Sequence, residues 1–165
     1  LMRLTSTGTF LLGSGPVVYE VGRDGTIVWQ QSVKGANHIY KAVRLPNGNT
    51  LLASGYGAFL VEMAPDGTWI RTFGRDPQQK VKHPTFFADF QLLANGNIVV
   101  ANWMGHKRED SRKGEQLVEY AADGKIVWTW HDPDLAGCIH GLILLDGLNT
   151  HSLHHEQAGV LSPGR

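Results

Sequence analysis

The sequence predicts an all-β protein, a β-propeller of four-stranded antiparallel blades, and three observations carry this prediction. Turn signals recur in a fixed order along the chain, apolar runs flank each of them, and no stretch shows a sustained helical period. A four-stranded unit that returns every ~40 to 57 residues is typical of propeller blades.

The repeat is visible as three markers that keep their order. A histidine precedes a strand, an Asn-Gly or Asp-Gly turn follows it, and a second Asp-Gly turn comes later in the unit. The markers are His38, His83 and His140, then Asn47-Gly48, Asn95-Gly96 and Asp146-Gly147, then Asp24-Gly25, Asp66-Gly67 and Asp123-Gly124. The differences in spacing between them lie in loops.

Each unit contains two hairpin signals, and these define four strands, A to D, counted from the inside of the ring. We expect type I′ turns, in which both central residues have positive φ. The predicted strands are Ile39–Leu45, Thr50–Ser54, Ala58–Ala64 and Thr68–Phe73 in one unit, Phe86–Leu93, Ile98–Trp103, Gln116–Tyr120 and Lys125–Trp130 in the next, Thr9–Gly13, Val17–Val21 and Thr26–Gln30 at the start, and Ile139–Leu145 at the end. The first unit therefore lacks a strand A, and the last has only that strand.

The outer strands share a tryptophan, at Trp29, Trp69 and Trp128. A large ring on an outer strand fills the space between two twisted sheets. We therefore expect these three side chains to pack between adjacent blades.

The number of blades predicts how the ring is completed. Residues 1–147 form about three blades, with residues 148–165 as a C-terminal tail on or beside them. Propellers have ~4–8 blades, so three cannot close a ring. Joining strands from opposite ends of the chain removes open sheet edges. Either a homodimer or a longer parent chain therefore completes six blades, and we expect the homodimer, because both chain ends resemble natural propeller ends.

Composition excludes several classes of partner. The chain has 15 basic and 15 acidic residues and no formal net charge, so it offers no basic footprint for nucleic acid. No apolar window is long enough for membrane insertion, and the opening residues lack the core of a signal peptide. Cys138 is the only cysteine, so no disulfide forms within the chain.

The repeated motifs are VYEVGRDGTIVW, HIYKAVRLPNGNTLLAS, FLVEMAPDGTWI, LLANGNIVVANWMGH and QLVEYAADGKIVWTW. In these the chain resembles a bacterial family of secreted or surface β-propellers, the PQQ-like repeat or arylsulfotransferase-like proteins. The resemblance covers nearly the whole chain and implies a periplasmic or extracellular location. It also implies a channel histidine as the residue that takes up sulfate in arylsulfotransferases. The stacking and cationic groups that a quinone needs do not stand out, so we expect no cofactor.

Strand direction predicts where a site would lie. Because strands A and B run in opposite directions, the D–A and B–C loops share one face of the ring. His38, His83 and His140 would line the channel mouth there, beside the long 104–114 loop with Trp103 at its base. This loop also carries His106, Lys107 and Arg108. We expect these residues to hold a small anionic or sugar-like ligand. No paired zinc motif predicts a metal site.

Three functions remain open at this point. The chain is a ligand-binding or scaffold propeller, a transferase or hydrolase that uses a channel histidine, or a platform for protein–protein contacts. The repeated histidines also have a structural interpretation, as residues that bond the backbone of a neighbouring strand. No catalytic residue is predicted, because no nucleophile elbow or phosphate-binding loop is present.

Overall fold

A computed structural model describes residues 2–145 and confirms the all-β propeller architecture. Three four-stranded antiparallel sheets follow one another along these residues, and each uses consecutive strands. The strands are β1 Arg3–Leu4, β2 Phe10–Ser14, β3 Val17–Val21, β4 Ile27–Ser32, β5 Lys41–Arg44, β6 Thr50–Ala53, β7 Leu60–Met63, β8 Trp69–Phe73, β9 Phe86–Leu92, β10 Ile98–Trp103, β11 Leu117–Tyr120 and β12 Ile126–Trp130. We call the sheets blade one (β1–β4), blade two (β5–β8) and blade three (β9–β12).

The first blade corrects one prediction, because it does have an inner strand. Arg3 and Leu4 pair with Leu11 and Phe10 of β2. The sequence obscured this strand, since it is two residues long and a Ser/Thr-rich turn replaces the Asn-Gly signal. The predicted strand at 139–145 is not a strand within the described residues, although it runs beside β9. Residues 146 and 147 and the predicted tail 148–165 lie outside the described residues.

The hairpin turns are in the predicted places, but their type is different. In the β5–β6 turn the Gly48 amide donates to the Leu45 carbonyl, and Gly48 alone has a positive φ, 85°. This is a three-residue loop, a type I turn followed by a left-handed glycine. Pro46 supplies the φ that the first central position of such a turn needs. A type I′ turn would require a positive φ at Asn47 as well, which the structure does not have.

A glutamate on the third strand of each blade bonds to the inner turn of its own blade, and Glu20 also pairs with Arg44 of blade two. The three are Glu20, Glu62 and Glu119, which share one register position. Glu62 is buried, accepts hydrogen bonds from Asn49 (2.7 Å) and Asn47 (3.2 Å), and pairs with Arg71 at 2.6 Å. Glu119 accepts from Asn97 (2.7 Å) in the same way. The third strand thus holds the turn that joins the two inner strands.

Glu62 makes the stability of blade two sensitive to acid. Burial opposes ionisation, but the hydrogen bonds from Asn49, Arg71 and Asn47 lower the pKa of Glu62 below its usual value. A lowered folded-state pKa contributes stability above the unfolded value, about 4.3, which is lost as pH falls through the folded value. We expect Glu62→Gln to flatten the fall of unfolding free energy with acid in urea titrations at several pH values. The exposed control Glu109→Gln keeps the steep fall, and an equally steep fall in both would contradict the assignment.

Two apolar cores lie at the two junctions between blades. One contains Leu11 and Val18 of blade one and Leu52 and Val61 of blade two, and the other joins blades two and three around Leu60, Phe87, Val100 and Tyr120. Trp29 and Trp69 pack against the first core, as predicted. Trp128 differs from them, because it is 44% exposed on the outer strand of blade three.

The long loop after β10 contains a 3₁₀ helix, Arg108–Lys113. Within residues 2–145 no helix has the length and apolar character that crossing a membrane requires. The connection from β10 to β11, residues 104–116, is the longest one between two consecutive strands.

Candidate functional site

Aromatic rings from five separate segments meet on one face of the molecule. We call this cluster the aromatic rim, and its members are His38, Tyr40, Tyr56, Phe86, Trp103, His106 and His140. The segments are the connections before β5 and after β12, the β6–β7 loop, the first residue of β9 and the end of β10 with the loop after it. The cluster is where the shared face of the D–A and B–C loops was expected.

Phe86 is the floor of the rim. Its side chain is 3% exposed, and its ring centroid lies 4.7 Å from Tyr56, 5.5 Å from Tyr40 and 5.6 Å from Trp103. All three contacts are edge-to-face, the arrangement that aromatic pairs favour. Tyr56 is 51% exposed, so the rim presents open aromatic surface around a buried centre.

The backbone before β5 aims His38 into the rim. His38 has a left-handed φ of 68°, an uncommon conformation in which histidine is enriched. The adjoining Asn37 carbonyl accepts a hydrogen bond from the Tyr56 amide (2.9 Å). The two loops are therefore fastened together, and the rings of His38 and Tyr56 meet edge-to-face at 6.4 Å.

His83 has the equivalent backbone but a different environment. Its φ is 55°, and the preceding Lys82 carbonyl accepts from the Glu115 amide, as Asn37 accepts from Tyr56. The His83 side chain is exposed and makes no ring contact with the rim, and its carbonyl accepts from Asn102 (3.1 Å). The predicted three-histidine arrangement therefore reduces to His38 and His140, with His83 outside the rim.

His140 joins the rim from the far end of the described chain. Its ring meets Tyr40 edge-to-face at 4.6 Å, and the Tyr40 hydroxyl lies 3.3 Å from His140 Nδ1. The Leu142 amide two residues later donates to Asp89 on β9 (3.1 Å), which holds this segment against blade three. The rim thus combines residues about 100 positions apart in the sequence.

Beside the rim, the charged loop contributes less than the sequence indicated. His106 contacts Trp103 at 4.6 Å. Arg108, however, donates to the Asp134 carbonyl (3.0 Å), Arg112 pairs with the Asp134 carboxylate, and Lys113 pairs with Asp110. Lys107 is exposed, and its backbone carbonyl accepts from the Cys138 thiol. Most of the positive charge on this loop is therefore used to fold the loop.

A buried ion pair adjoins the rim along the inner strands. Lys41 follows Tyr40 directly, and its ammonium lies 2.5 Å from the Asp89 carboxylate and 2.6 Å from the Phe90 carbonyl. Both side chains are less than a tenth exposed. Burial lowers the pKa of Lys41, and the hydrogen bond to Asp89 opposes that effect. The pair joins β5 to β9 next to the rings that those strands position.

Sequence reasoning missed three members of the rim, Tyr40, Tyr56 and Phe86. Each lies at the start of an inner strand or in a B–C loop, so the argument that found the histidines applies to them too. The histidines were the more regular signal, because one precedes a strand in each of three units. No group of three or more histidine, cysteine, aspartate or glutamate residues within 2–145 is placed to hold a metal ion.

The rim is partly open to solvent, because Tyr56 is 51% exposed. Two clefts lie elsewhere among the described residues, one of about 320 Å³ along the outer strands of blade one and one of about 270 Å³ beside the β8–β9 connection. Neither is lined by a rim residue. The rings that reach solvent, such as Tyr56, therefore offer a surface for stacking, and the polar groups of Tyr40 and His140 lie beside it.

Known structures support the fold. A protein of unknown function from Bacteroides caccae superposes with a TM-score of 0.69 at 26% identity, covering 85% of this chain and 52% of that one. The WD40 β-propeller domain of Doa1 superposes with a TM-score of 0.65 at 16% identity, covering 87% of this chain and 43% of that one. Virginiamycin B lyase from Staphylococcus aureus has a TM-score of 0.55 at 12% identity, covering 81% of this chain and 41% of that one. The chain thus spans about half the length of these structures or less.

Two further comparisons are negative. No protein-family model matches the chain, and no curated protein matches it. The resemblance to PQQ-like and arylsulfotransferase-like proteins is therefore supported at the level of the propeller fold. By its sheets, its repeat and its structural neighbours, the chain is three blades of a β-propeller.

Proposed function

We infer that this chain is a binding propeller whose aromatic rim holds a neutral, sugar-like ring. The observation that carries this inference is the grouping of exposed and half-buried rings around Phe86. Aromatic faces provide flat apolar surface, and the C–H face of a sugar ring packs well against such surface. Imidazole and phenol groups beside them, at His38, His140 and Tyr40, offer hydrogen bonds to ring hydroxyls.

The charges near the rim favour a neutral ligand over an anion. Arg108, Arg112 and Lys113 are each bonded to a carboxylate or carbonyl of the same region. An anion would have to compete with these internal partners for the same donors. Stacking surface, in contrast, is already open at Tyr56, which is 51% exposed. The sugar-like alternative of the two predicted ligand classes is therefore the better supported.

Binding of neutral oligosaccharides by saturation-transfer NMR and calorimetry tests the proposal. The probes are glucose-, galactose- and mannose-containing oligosaccharides, with inorganic sulfate as the anionic comparison. We expect Tyr56→Ala and Trp103→Ala each to weaken sugar binding about tenfold, since one stacked ring contributes about 1 kcal/mol or somewhat more. Tyr19→Ala, an aromatic change on β3 in blade one, is the matched control and leaves binding unchanged.

Two results would overturn the proposal. One is saturation transfer to sugars that survives both rim variants at full strength. The other is binding of sulfate alone, lost in Lys107→Ala and kept in Tyr56→Ala, which would move the site to the charged loop. Circular dichroism of each variant confirms that the fold is intact before binding is compared.

A further inference from the structure

One position on the outer strand recurs in every blade. In each, the glutamate of the third strand pairs with an outer-strand residue next to a bulge: Glu20 with Trp29, Glu62 with Arg71 and Glu119 with Trp128. The three partners therefore occupy one structural position. Trp69, which the sequence pattern grouped with the other two tryptophans, lies two residues earlier in this register and matches Ile27 and Ile126.

At both junctions between blades in the chain, the side chain at this position donates a hydrogen bond to the next blade. Trp29 Nε1 donates to the Pro65 carbonyl of blade two at 2.7 Å. Arg71 Nη1 donates to the Ala122 carbonyl of blade three at 3.3 Å. Each acceptor directly precedes an Asp-Gly turn. A donor on the outer strand of one blade thus meets the carbonyl before the Asp-Gly turn of the following blade.

Trp128 presents the same donor at the open side of blade three. It is 44% exposed, and no acceptor bonds to its indole N–H within residues 2–145. The matching acceptor stands at the other end of the described chain, where Arg23 precedes the Asp24-Gly25 turn of blade one. The two ends therefore carry complementary halves of the contact that occurs twice inside the molecule.

The apolar surfaces at the two ends match as well. Trp69 and Ile126 pack against the core shared with the preceding blade. Ile27, in the equivalent position of blade one, is 54% exposed. Covering it would remove from water an apolar side chain whose counterparts Trp69 and Ile126 are partly buried in the other two blades.

We propose that blade three packs against blade one of a second copy of this chain, with Trp128 Nε1 donating to the Arg23 carbonyl. A two-fold axis then produces two identical junctions and closes a ring of six blades. Each new junction continues the pattern of the two internal ones, with the same donor, acceptor and apolar positions. The Bacteroides caccae protein, of which this chain spans 52%, is long enough to supply both halves in one polypeptide.

The segment 139–145 supplies the inner strand at this junction. Asp89 and Lys41 occupy equivalent positions on the inner strands of their blades. Asp89 pairs with Ala101 on β10, as Lys41 pairs with Ala53 on β6. Lys41 bonds across to β9, and Asp89 in turn accepts from Leu142. The segment 139–145 therefore lies next to β9 in the same way that β9 lies next to β5. This is the position of the inner strand of a fourth blade.

In the ring, the second copy contributes β2 to β4 of this fourth blade. The segment 139–145 then replaces the second copy's own β1 along the inner edge of β2. That strand is easily replaced, because it pairs through two residues and leaves Arg3 Nε buried without a partner within the described residues. Ile143, 70% exposed, and Leu145, 60% exposed, gain apolar contacts by the exchange.

Light scattering coupled to size exclusion tests the proposal on the unaltered chain and on matched variants. We expect twice the chain mass of 18.1 kDa for the unaltered protein. Trp128→Glu replaces the donor by an acceptor, and Ile27→Glu places a charge on the opposite face, so each should give a single-chain mass. Trp128→Arg, which copies the residue of blade two, keeps the double mass. Val127→Glu, a neighbour that is 54% exposed, is the control and also keeps it.

Mixing the two disruptive variants separates lost contact from lost folding. A Trp128→Glu copy keeps its blade-one face and an Ile27→Glu copy keeps its blade-three face, so together they restore one intact junction and a two-chain mass. A single-chain mass for the unaltered protein at every concentration would overturn the proposal. A double mass that survives Trp128→Glu, or is lost equally in Val127→Glu, would also overturn it.

Discussion

Replacing Asp89 by alanine should lower the free energy of unfolding by about 3–5 kcal/mol, the cost of leaving one member of a buried ion pair without its partner. Lys41 is less than a tenth exposed, and its ammonium would retain only the Phe90 carbonyl. The Leu142 and Phe90 amides would each lose an acceptor as well. Urea denaturation followed by tryptophan fluorescence measures the loss.

The double variant Lys41→Met with Asp89→Leu is the control for this prediction. It removes both charges, so the loss should be much smaller than in Asp89→Ala. Burial lowers the pKa of Lys41 below its unfolded value. In the wild-type protein the Asp89 carboxylate opposes this effect, and in Asp89→Ala that opposition is lost. The deficit of Asp89→Ala should therefore shrink as pH rises toward the unfolded lysine pKa, about 10.4. A loss of less than about 1 kcal/mol in Asp89→Ala would show that the pair does not stabilise this fold.

Replacing Gly55 by alanine should cost about 2–5 kcal/mol, from a strained backbone and an overpacked site together. Gly55 has a φ of 63°, and an added Cβ would lie 2.1 Å from the His38 carbonyl oxygen and 2.5 Å from that of Asn37. The Gly55 carbonyl also accepts from the Phe87 amide of β9 (3.0 Å). Any shift therefore separates His38 from Phe86, and the near-ultraviolet circular dichroism of the rim should weaken with stability.

Gly48→Ala isolates the backbone part of this effect. Gly48 has a similar left-handed φ of 85°, but nothing lies within 4 Å of an added Cβ. Its cost should be about 1–2 kcal/mol, the ordinary cost of a left-handed alanine, with no change in the rim signal. Equal losses in Gly48→Ala and Gly55→Ala would contradict the close approach of the two loops.

The fold was predictable because the repeat combines local signals that agree with one another. Asn-Gly and Asp-Gly turns between apolar runs located eleven of the strands to within a few residues, and their order assigned them to blades. The prediction of type I′ turns was wrong, because an Asn-Gly pair is compatible with a three-residue loop as well as with a two-residue loop. The proline in LPNG and APDG was the available signal, because it fits the first central position of a type I turn.

The place of the aromatic rim was predictable, but its members were not. Strand direction put His38, His140, Trp103 and His106 on one face, which the structure shows. His83 diverged because the connection before β9 is longer than the one before β5, although both histidines keep a left-handed backbone. Pairing of the loop charges with Asp110 and Asp134 depends on how residues 104–136 fold back, and no short-range pattern encodes that.

The glutamate on the third strand of each blade has a consequence for how the molecule loses structure. Because the turn, third strand and glutamate belong to one blade, most stabilising contacts are either within a blade or with its direct neighbour, as in a linear array. Blade two has a neighbour on each side, whereas blades one and three have one each among the described residues. Opening of an isolated chain therefore begins at its two ends, and ring closure would remove both starting points at once.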